Sequence, residues 1–326
     1  MTKNFISIVV LTLVAAGMAY SQPPRGKHER AERFHGPFIE NFSKASSKFF
    51  NFNYRRNGYD YRYYSGHESL SEDGTEIMMF RIDPSDPAGA GKGPEIISKD
   101  YTFYGTYSAR IRVPKVKDVQ PNIGAVVGYF TYNIDPEMGQ SEIDFEWLIA
   151  DPEIIYVGTW TGVRPAHNRV GRVINLKEGI IYDTSYRGEI TKEDRSKEIS
   201  VSGKLTGKQN LPKKITPIED YDASARFYVY GWDWYPDRLT WWIIHPDTNE
   251  KIILWDYEGK VLFPGQPAET GIPVVKSKYR LNFWHTNNWP VETNPNSVEA
   301  PAYPYELEID WMSYKPFNDL NPELKK

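Results

Sequence analysis

The sequence contains no cysteine among its 326 residues. This absence excludes disulfide bonds, zinc sites built from thiolates, a thiol nucleophile and a lipid anchor on cysteine. The formal net charge is only -4, so the chain has neither the broad basic field that binds nucleic acid nor a polyanionic tail. We therefore expect no nucleic-acid partner.

Long apolar runs are also absent after the N-terminus. Lys3 precedes an apolar stretch that ends near Met18, and small residues then precede Gln22. The stretch is short for a membrane span, which favours a cleaved signal peptide over residues 1–21 rather than an uncleaved anchor. We expect a secreted or periplasmic protein, monomeric and without a membrane span.

Amphipathic helical windows are scarce, and short alternating segments take their place. Residues 22–36 are polar and rich in Pro and Gly, and they predict a flexible leader. From Pro37 onward, apolar and polar residues alternate with a period of two between turn residues, which is typical of half-buried strands. We predict an all-β sandwich of two antiparallel sheets in a single domain, residues 37–320. A charged insertion at about 188–219 is either a lid over a groove or a solvated excursion.

Three carboxylates alternate with apolar residues in GQSEIDFEWL, residues 139–148. Because successive side chains in a strand point to opposite faces, the apolar residues would face the core and the acids would share the other face: Glu142, Asp144 and Glu146. The Cα atoms of the outer two would lie about 13 Å apart. Their carboxyls could then approach the roughly 5–5.5 Å separation of retaining glycosidases. A charge on the middle acid would raise the pKa of a neighbouring general acid.

The pattern alone also fits an ordinary solvated strand. A second segment, YELEIDW, alternates three acids with apolar residues in the same way: Glu306, Glu308 and Asp310. The alternation therefore does not distinguish a catalytic strand from a solvated one.

The neighbourhood of the first segment resembles glycoside hydrolase family 16. EIDFE matches the family's E-x-D-x-E strand, in the form typical of lichenase-like β-glucanases and xyloglucan-active enzymes. Further segments resemble family strands in the family's order: YGTYSARIRVP (104–114), GAVVGYFTYN (124–133), FYVYGWDWYPDRLTWWI (227–243), RLNFWHTNNW (280–289) and YELEIDWMSY (305–314). The resemblance spans most of residues 100–315, and residues 37–100 match only loosely.

The resemblance implies a concanavalin-like β-jelly-roll of two curved sheets with an open concave cleft for a polysaccharide, and no required cofactor. It assigns Glu142 as nucleophile, Asp144 as electrostatic helper and Glu146 as acid/base of a retaining endo-β-glycanase acting on a β-1,3/1,4-glucan. Matching positions would contact substrate: Phe130, Tyr132, Trp160, Asn282, Trp284 and Arg110. Core packing is the alternative for the aromatic residues, and an exposed strand cation is the alternative for the arginine.

Asp310 matches a family position that helps to hold a structural calcium on the convex side; a solvated strand-end charge is the alternative. The sequence departs from lichenases at Gln140, Ser108 and Gly158, which align with Trp, Glu and Asn there. These departures leave the sugar and linkage open. A transglycosylase would use the same three acids. A non-catalytic carbohydrate-binding module and a structural surface protein are alternatives of other classes.

Overall fold

A computed structural model describes residues 33–44, 46–53, 55–56, 59–60, 62–82, 93–115, 125–149, 152–163, 168–187, 215–259, 271–285 and 304–321. Over these ranges the regular structure consists of β-strands and one 3₁₀ turn, Glu68–Leu70, so the predicted all-β class is confirmed. The predicted signal peptide lies outside the described residues. Among those described, no helix has the length and apolar character needed to cross a membrane.

Eight strands form one antiparallel sheet, which we call the front sheet. In spatial order its strands are β13 (Ile180–Arg187), β12 (Asn168–Asn175), β11 (Ile154–Gly162), β10 (Gly139–Leu148), β9 (Ala125–Asp135), β17 (Lys278–His285), β7 (Glu95–Ser98) and β2 (Phe50–Phe52). The acidic segment 139–148 is therefore an extended strand, β10, near the middle of this sheet.

A second sheet of eight strands, the back sheet, packs against the first. In spatial order its strands are β16 (Lys251–Tyr257), β15 (Leu239–Ile244), β14 (Tyr228–Trp234), β8 (Gly105–Arg112), β18 (Tyr305–Pro316), β6 (Ile77–Ile82) and β5 (Arg62–Gly66), and β1 (Phe38–Glu40) also pairs with β18. A separate short pair consists of β3 (Arg55–Arg56) and β4 (Tyr59–Asp60). The sandwich of two antiparallel sheets is as predicted.

The core between the sheets is rich in aromatic side chains, which project from alternate positions of the strands. In β8, for example, Tyr107 is buried, whereas its neighbour Ser108 is half-exposed on the other face. The Tyr107 ring stacks on Trp232 of β14, with centroids 5.0 Å apart. Such ring pairs stabilise a fold by about 0.5–1.5 kcal/mol beyond their burial. One continuous cluster includes residues of both sheets.

Buried hydroxyl groups connect the two sheets. The phenolic oxygens of Tyr129 and Tyr279, both on the front sheet, are 2.6 Å apart, and Tyr279 donates to the carbonyl of Ser108 on the back sheet at 3.1 Å. Burial raises the pKa of both tyrosines well above its ordinary value. Both therefore stay neutral and keep their donor hydrogens.

The packed fold begins inside the predicted flexible leader, residues 22–36. Phe34 forms an isolated bridge with Tyr101, and the amide of His35 donates to the Tyr101 carbonyl at 2.9 Å. The His35 ring is buried and lies edge-on to Phe38, with centroids 5.1 Å apart. The described end of the leader is thus part of the domain, and the rest of the leader lies outside the described residues.

The predicted charged insertion, 188–219, is described only from residue 215 onward. The amides of Ile215 and Ile218 donate to the carbonyls of Gly179 and Leu176, at the turn between β12 and β13. Because Ile218 is also buried, the C-terminal end of the insertion is anchored to the front sheet.

Candidate active site

The turn before β10 sets which residues of that strand face outward. The carboxylate of Asp135 accepts hydrogen bonds from the amides of Met138 and Glu137, both at 2.9 Å, and these bonds lower the pKa of Asp135. Gly139 follows with a φ of 80°, a left-handed conformation that favours glycine. A slip of one residue here would turn every acid of β10 into the core.

The three acids of β10 share the outer face of the front sheet, as the alternation predicts. The apolar residues between them lie in the core: Ile143, Phe145 and Trp147. Glu142 and Asp144 are only 8% and 4% exposed, and Glu146 is half-buried. The acids therefore lie in a recess of the outer face rather than in bulk solvent.

The neighbouring strands surround the acids with aromatic residues and glycines. Directly paired residues of antiparallel strands project from the same face. The pairs are Tyr132 and Trp160 with Glu142, Phe130 and Gly158 with Asp144, and Gly128 and Tyr156 with Glu146. The two glycines have no side chain beside the central and the last acid, so side chains of nearby residues occupy that space, and the aromatic residues flank the acids.

The four predicted cleft aromatics all lie on this outer face: Phe130, Tyr132, Trp160 and Trp284. None of them belongs to the core cluster between the sheets. Trp284 pairs with Val126, which pairs in turn with Leu148, one row beyond Glu146. The structure thus brings these rings together with the acids, and their contact with a sugar stays a prediction.

Asn282 lies beside Glu146 across a glycine. Asn282 pairs with Gly128, and its Oδ1 atom is 2.5 Å from the position that a Cβ on Gly128 would occupy. The side chain is only 7% exposed, and among the described residues Oδ1 has no hydrogen-bond partner. A buried acceptor without a partner is costly, so this oxygen is suited to accept a hydrogen bond from a ligand.

Three polar groups at the site were not predicted from the sequence. Gln140 donates a hydrogen bond from Nε2 to the carboxylate of Glu142. Arg280 pairs with Glu95 at 3.3 Å, and its guanidinium lies 5.0 Å from the centre of the Tyr132 ring. Period-two spacing could have identified Gln140 and Arg280, since they precede Glu142 and Asn282 by two residues. Glu95 lies on a strand of four residues in the part of the sequence with only a loose family match.

Arg110 does not lie with the acids. It projects from β8 on the outer face of the back sheet, and two sheets, which pack about 10 Å apart, separate it from the acids. Its Nη1 atom is 2.6 Å from Asp310 Oδ2, its Nε atom is 3.2 Å from Glu72, and its guanidinium lies 4.5 Å from the Phe227 ring. The predicted substrate contact of Arg110 is therefore not supported by its position. Ser108 lies on the same outer face of the back sheet.

Asp310 is almost fully buried and is already paired with a cation. Besides Arg110, it accepts a hydrogen bond from the amide of Glu72 at 3.1 Å. Burial raises the pKa of Asp310, against the opposing effects of the Glu72 amide and of Arg110. Calcium requires roughly six to eight oxygen ligands, and within the described ranges no group of three or more His, Cys, Asp or Glu could hold a metal. The guanidinium occupies the place of a cation, so these residues do not fit the calcium site that the sequence suggested.

No protein-family profile matches the chain, and no curated protein matches it. Among solved structures, it is similar to a prokaryotic β-1,3-1,4-glucanase (lichenase) from a mouse hindgut metagenome, with 19% identity over 87% of this chain and 100% of that chain and a TM-score of 0.48. A Bacteroides ovatus mixed-linkage-glucan GH16 protein has 14% identity over 85% of this chain and 99% of that chain, with a TM-score of 0.49. The Crh5 transglycosylase has 13% identity over 87% and 85% of the two chains, with a TM-score of 0.48. The substrates of these proteins do not by themselves assign a substrate to this chain.

Proposed function

We propose that the protein is a retaining endo-β-glycanase of the glycoside hydrolase family 16 type, acting on a β-1,3/1,4-glucan. The observation that carries the proposal is the position of Glu142, Asp144 and Glu146 together in one recess of the outer face. The resemblance of EIDFE and the neighbouring segments to that family supports the same assignment.

The first half of the reaction forms a bond between enzyme and sugar. A carboxylate oxygen of Glu142 attacks the anomeric carbon, and the bond from that carbon to the glycosidic oxygen breaks. Glu146 gives its proton to the departing oxygen. The hydrogen bond from Gln140 favours the ionised form of Glu142 and holds it in place. A negative charge on Asp144 favours the protonated form of its neighbour Glu146.

The second half of the reaction releases the sugar with its β configuration retained. Glu146, now ionised, removes a proton from a water molecule, whose oxygen attacks the anomeric carbon. The ester bond to Glu142 breaks, and both glutamates return to their starting states. If the hydroxyl of another sugar takes the place of water, the same residues carry out transglycosylation.

The groups around the acids are suited to hold a sugar chain. The faces of aromatic rings pack well against the apolar faces of sugars, and four such rings flank the acids: Phe130, Tyr132, Trp160 and Trp284. The Asn282 oxygen, which accepts no hydrogen bond within the described part of the chain, would accept one from a sugar hydroxyl. Export of the enzyme rests on the sequence of residues 1–21 alone, and N-terminal sequencing of the exported protein would test cleavage before Gln22.

A screen against defined polysaccharides tests the proposed function. We expect cleavage of a mixed-linkage β-glucan, with products identified by mass, in the presence and absence of an acceptor oligosaccharide. Glu142→Ala should abolish cleavage and leave binding of the same glucan intact. The control is Glu306→Ala in the second acidic segment, on β18, where Glu306 is half-exposed and paired with Arg81 at 3.2 Å; its activity should match that of the wild type.

The transglycosylase and the carbohydrate-binding module each predict a different outcome in the same screen. Transfer of sugar to the acceptor in place of hydrolysis would identify a transglycosylase. Binding without cleavage of any β-glucan, galactan or xyloglucan would identify a carbohydrate-binding module and overturn the proposal.

A further inference from the structure

The side chain of Tyr156 fills a gap left by two glycines beside the acids. Gly158 on β11 pairs with Gly171 on β12, so neither strand has a side chain at that place. A Cβ on Gly158 would overlap the phenolic oxygen of Tyr156 and lie 2.7 Å from Cζ of the same ring. A Cβ on Gly171 would lie 2.5 Å from that oxygen and 2.7 Å from Cζ. The Tyr156 ring therefore lies over both glycines, with its hydroxyl between them.

This position puts the hydroxyl of Tyr156 opposite Asp144. Gly158 is the direct strand partner of Asp144, and the Cβ atoms of such partners lie about 4.5–5.5 Å apart. The Tyr156 oxygen lies close to the position that a Cβ atom on Gly158 would occupy, facing the Asp144 carboxylate. Tyr156 itself pairs with Glu146 and is only 1% exposed, so its hydroxyl has to find its partner among protein groups.

We propose that Tyr156 is a positioning residue that donates its phenolic hydrogen to the carboxylate of Asp144. This inference rests on the proposed function for its catalytic consequence. A hydrogen bond to the carboxylate favours the ionised form of Asp144, and the persistent negative charge keeps Glu146 protonated until it acts as the acid. Gly158 and Gly171 are the positions that make room for the donor.

The described side chains that share the face of Asp144 include several other titratable groups. They are Glu142 and Glu146 on β10, Tyr132 on β9, Tyr156 on β11, Lys278 and Arg280 on β17, and Glu95 on β7. The two cations also favour ionised Asp144, and the three glutamates oppose it. Replacing Tyr156 by phenylalanine leaves all of these groups in place, so a change in the titration of Asp144 would report the loss of the hydroxyl.

The direct test follows the titration of Asp144 by ¹³C NMR of the full chain with labelled aspartate carboxyl groups. The Asp144→Asn variant identifies the signal. In Tyr156→Phe, we expect the midpoint of the Asp144 titration to rise by about 1 to 2 pH units, because a hydrogen bond to a charged group is lost. An unchanged midpoint would overturn the inference. Since this measurement needs no catalysis, its outcome is independent of whether the protein cleaves any glycan.

Kinetics provide the second readout. In Tyr156→Phe, kcat should fall about 10- to 100-fold, the loss expected for one charge-assisted hydrogen bond, with little change in KM. The acid limb of the pH profile of kcat should move to higher pH, because Asp144 takes up a proton at higher pH when the hydrogen bond is lost. A lower kcat with an unchanged pH profile would mean that Tyr156 acts only by packing, and would also overturn the inference.

Two further variants test whether the position of the Tyr156 hydroxyl causes the shift. Gly171→Ala should displace the Tyr156 ring and reproduce the shift of the Asp144 titration. Tyr129→Phe is the matched control, because it removes a buried hydroxyl from the core that is 2.6 Å from Tyr279. It should lower stability and leave the Asp144 midpoint unchanged. A shift of equal size in the control would overturn the assignment to Tyr156.

Discussion

The indole nitrogen of Trp241, on the back sheet, donates a hydrogen bond to the backbone carbonyl of Asp144, on the front sheet, at 3.1 Å. Trp241 is fully buried and stacks on Trp255, with centroids 5.3 Å apart. The core thus contacts β10 directly beneath the central acid, and the position of that acid depends on the packing of the opposite sheet.

Trp241→Phe should therefore reduce both stability and activity. We expect a loss of about 1–3 kcal/mol in the free energy of unfolding, from the smaller side chain and the missing donor, and a several-fold lower kcat. Trp232→Phe is the matched control, because Trp232 is also fully buried but its indole nitrogen has no hydrogen-bond partner in the ranges that the structure describes. Urea unfolding and kcat would be measured for both. Equal kcat in the two variants would show that the hydrogen bond has no role in positioning the strand.

Glu146→Gln should lower the activity on natural polysaccharide by about 100- to 10,000-fold, because glutamine cannot protonate the leaving oxygen. On an aryl glycoside with a very good leaving group, the rate of the first step, in which Glu142 displaces the aryl group, should be largely retained. The aryl oxygen of such a substrate needs little protonation to leave. The rates of release of the aryl group and of reducing ends would be compared. An equal loss on both substrates would contradict the acid/base role.

Thermal stability should not respond to calcium or to its removal. Arg110 already neutralises Asp310 at 2.6 Å, so EDTA and excess calcium should leave Tm unchanged. Arg110→Met should lower the free energy of unfolding by about 1–3 kcal/mol, because the buried Asp310 carboxylate loses its cationic partner and keeps only the hydrogen bond from the Glu72 amide. Adding Asp310→Asn to that variant should restore part of the loss. A rise of Tm with calcium in the wild type would show that a site for the ion exists.

The protein should lose stability in mildly acidic solution through His35. Burial lowers the pKa of His35 below its ordinary value of 6.5, and its Nε2 atom accepts a hydrogen bond from the amide of Asp100 at 3.1 Å. The unfolded chain therefore binds a proton on His35 more readily than the folded protein does. The stability that neutral His35 contributes is fully present above pH 6.5, and it is lost as the pH falls towards the pKa of His35 in the folded protein.

The free energy of unfolding at about pH 7.5 and at about pH 5.5 measures this effect, with at most about 1.4 kcal/mol per pH unit for one proton. His35→Gln, which keeps an acceptor without a titrating group, should show a smaller decrease between the two conditions. An equal decrease in the free energy of unfolding in the wild type and the variant would mean that groups other than His35 cause it.

Local alternation was enough to predict which faces the residues of β10 present. Ile143 and Phe145 are in the core and the acids are outside because a strand has only two faces and burial of three unpaired charges is prohibitive. For Asn282 and the four aromatic rings the prediction came from the family resemblance alone, and the structure has them on the same face as the acids.

Alternation could not tell which sheet a strand joins. Arg110 projects outward as the pattern of β8 requires, but β8 belongs to the back sheet, so its outward face is the opposite surface of the molecule. Strand pairing between distant segments decides this, and a period of two in one segment carries no information about the partner.

The amino-acid sequence by itself determined the all-β class, the extended acidic strand and the face that its carboxylates share, because these follow from side-chain direction and the cost of burying charge. Only the tertiary structure decided what surrounds those carboxylates. Which strands become neighbours determines that the Tyr156 ring lies over two glycines and that Arg110 pairs with Asp310. Neighbours in a sheet are set by the packing of the whole chain rather than by local residue order.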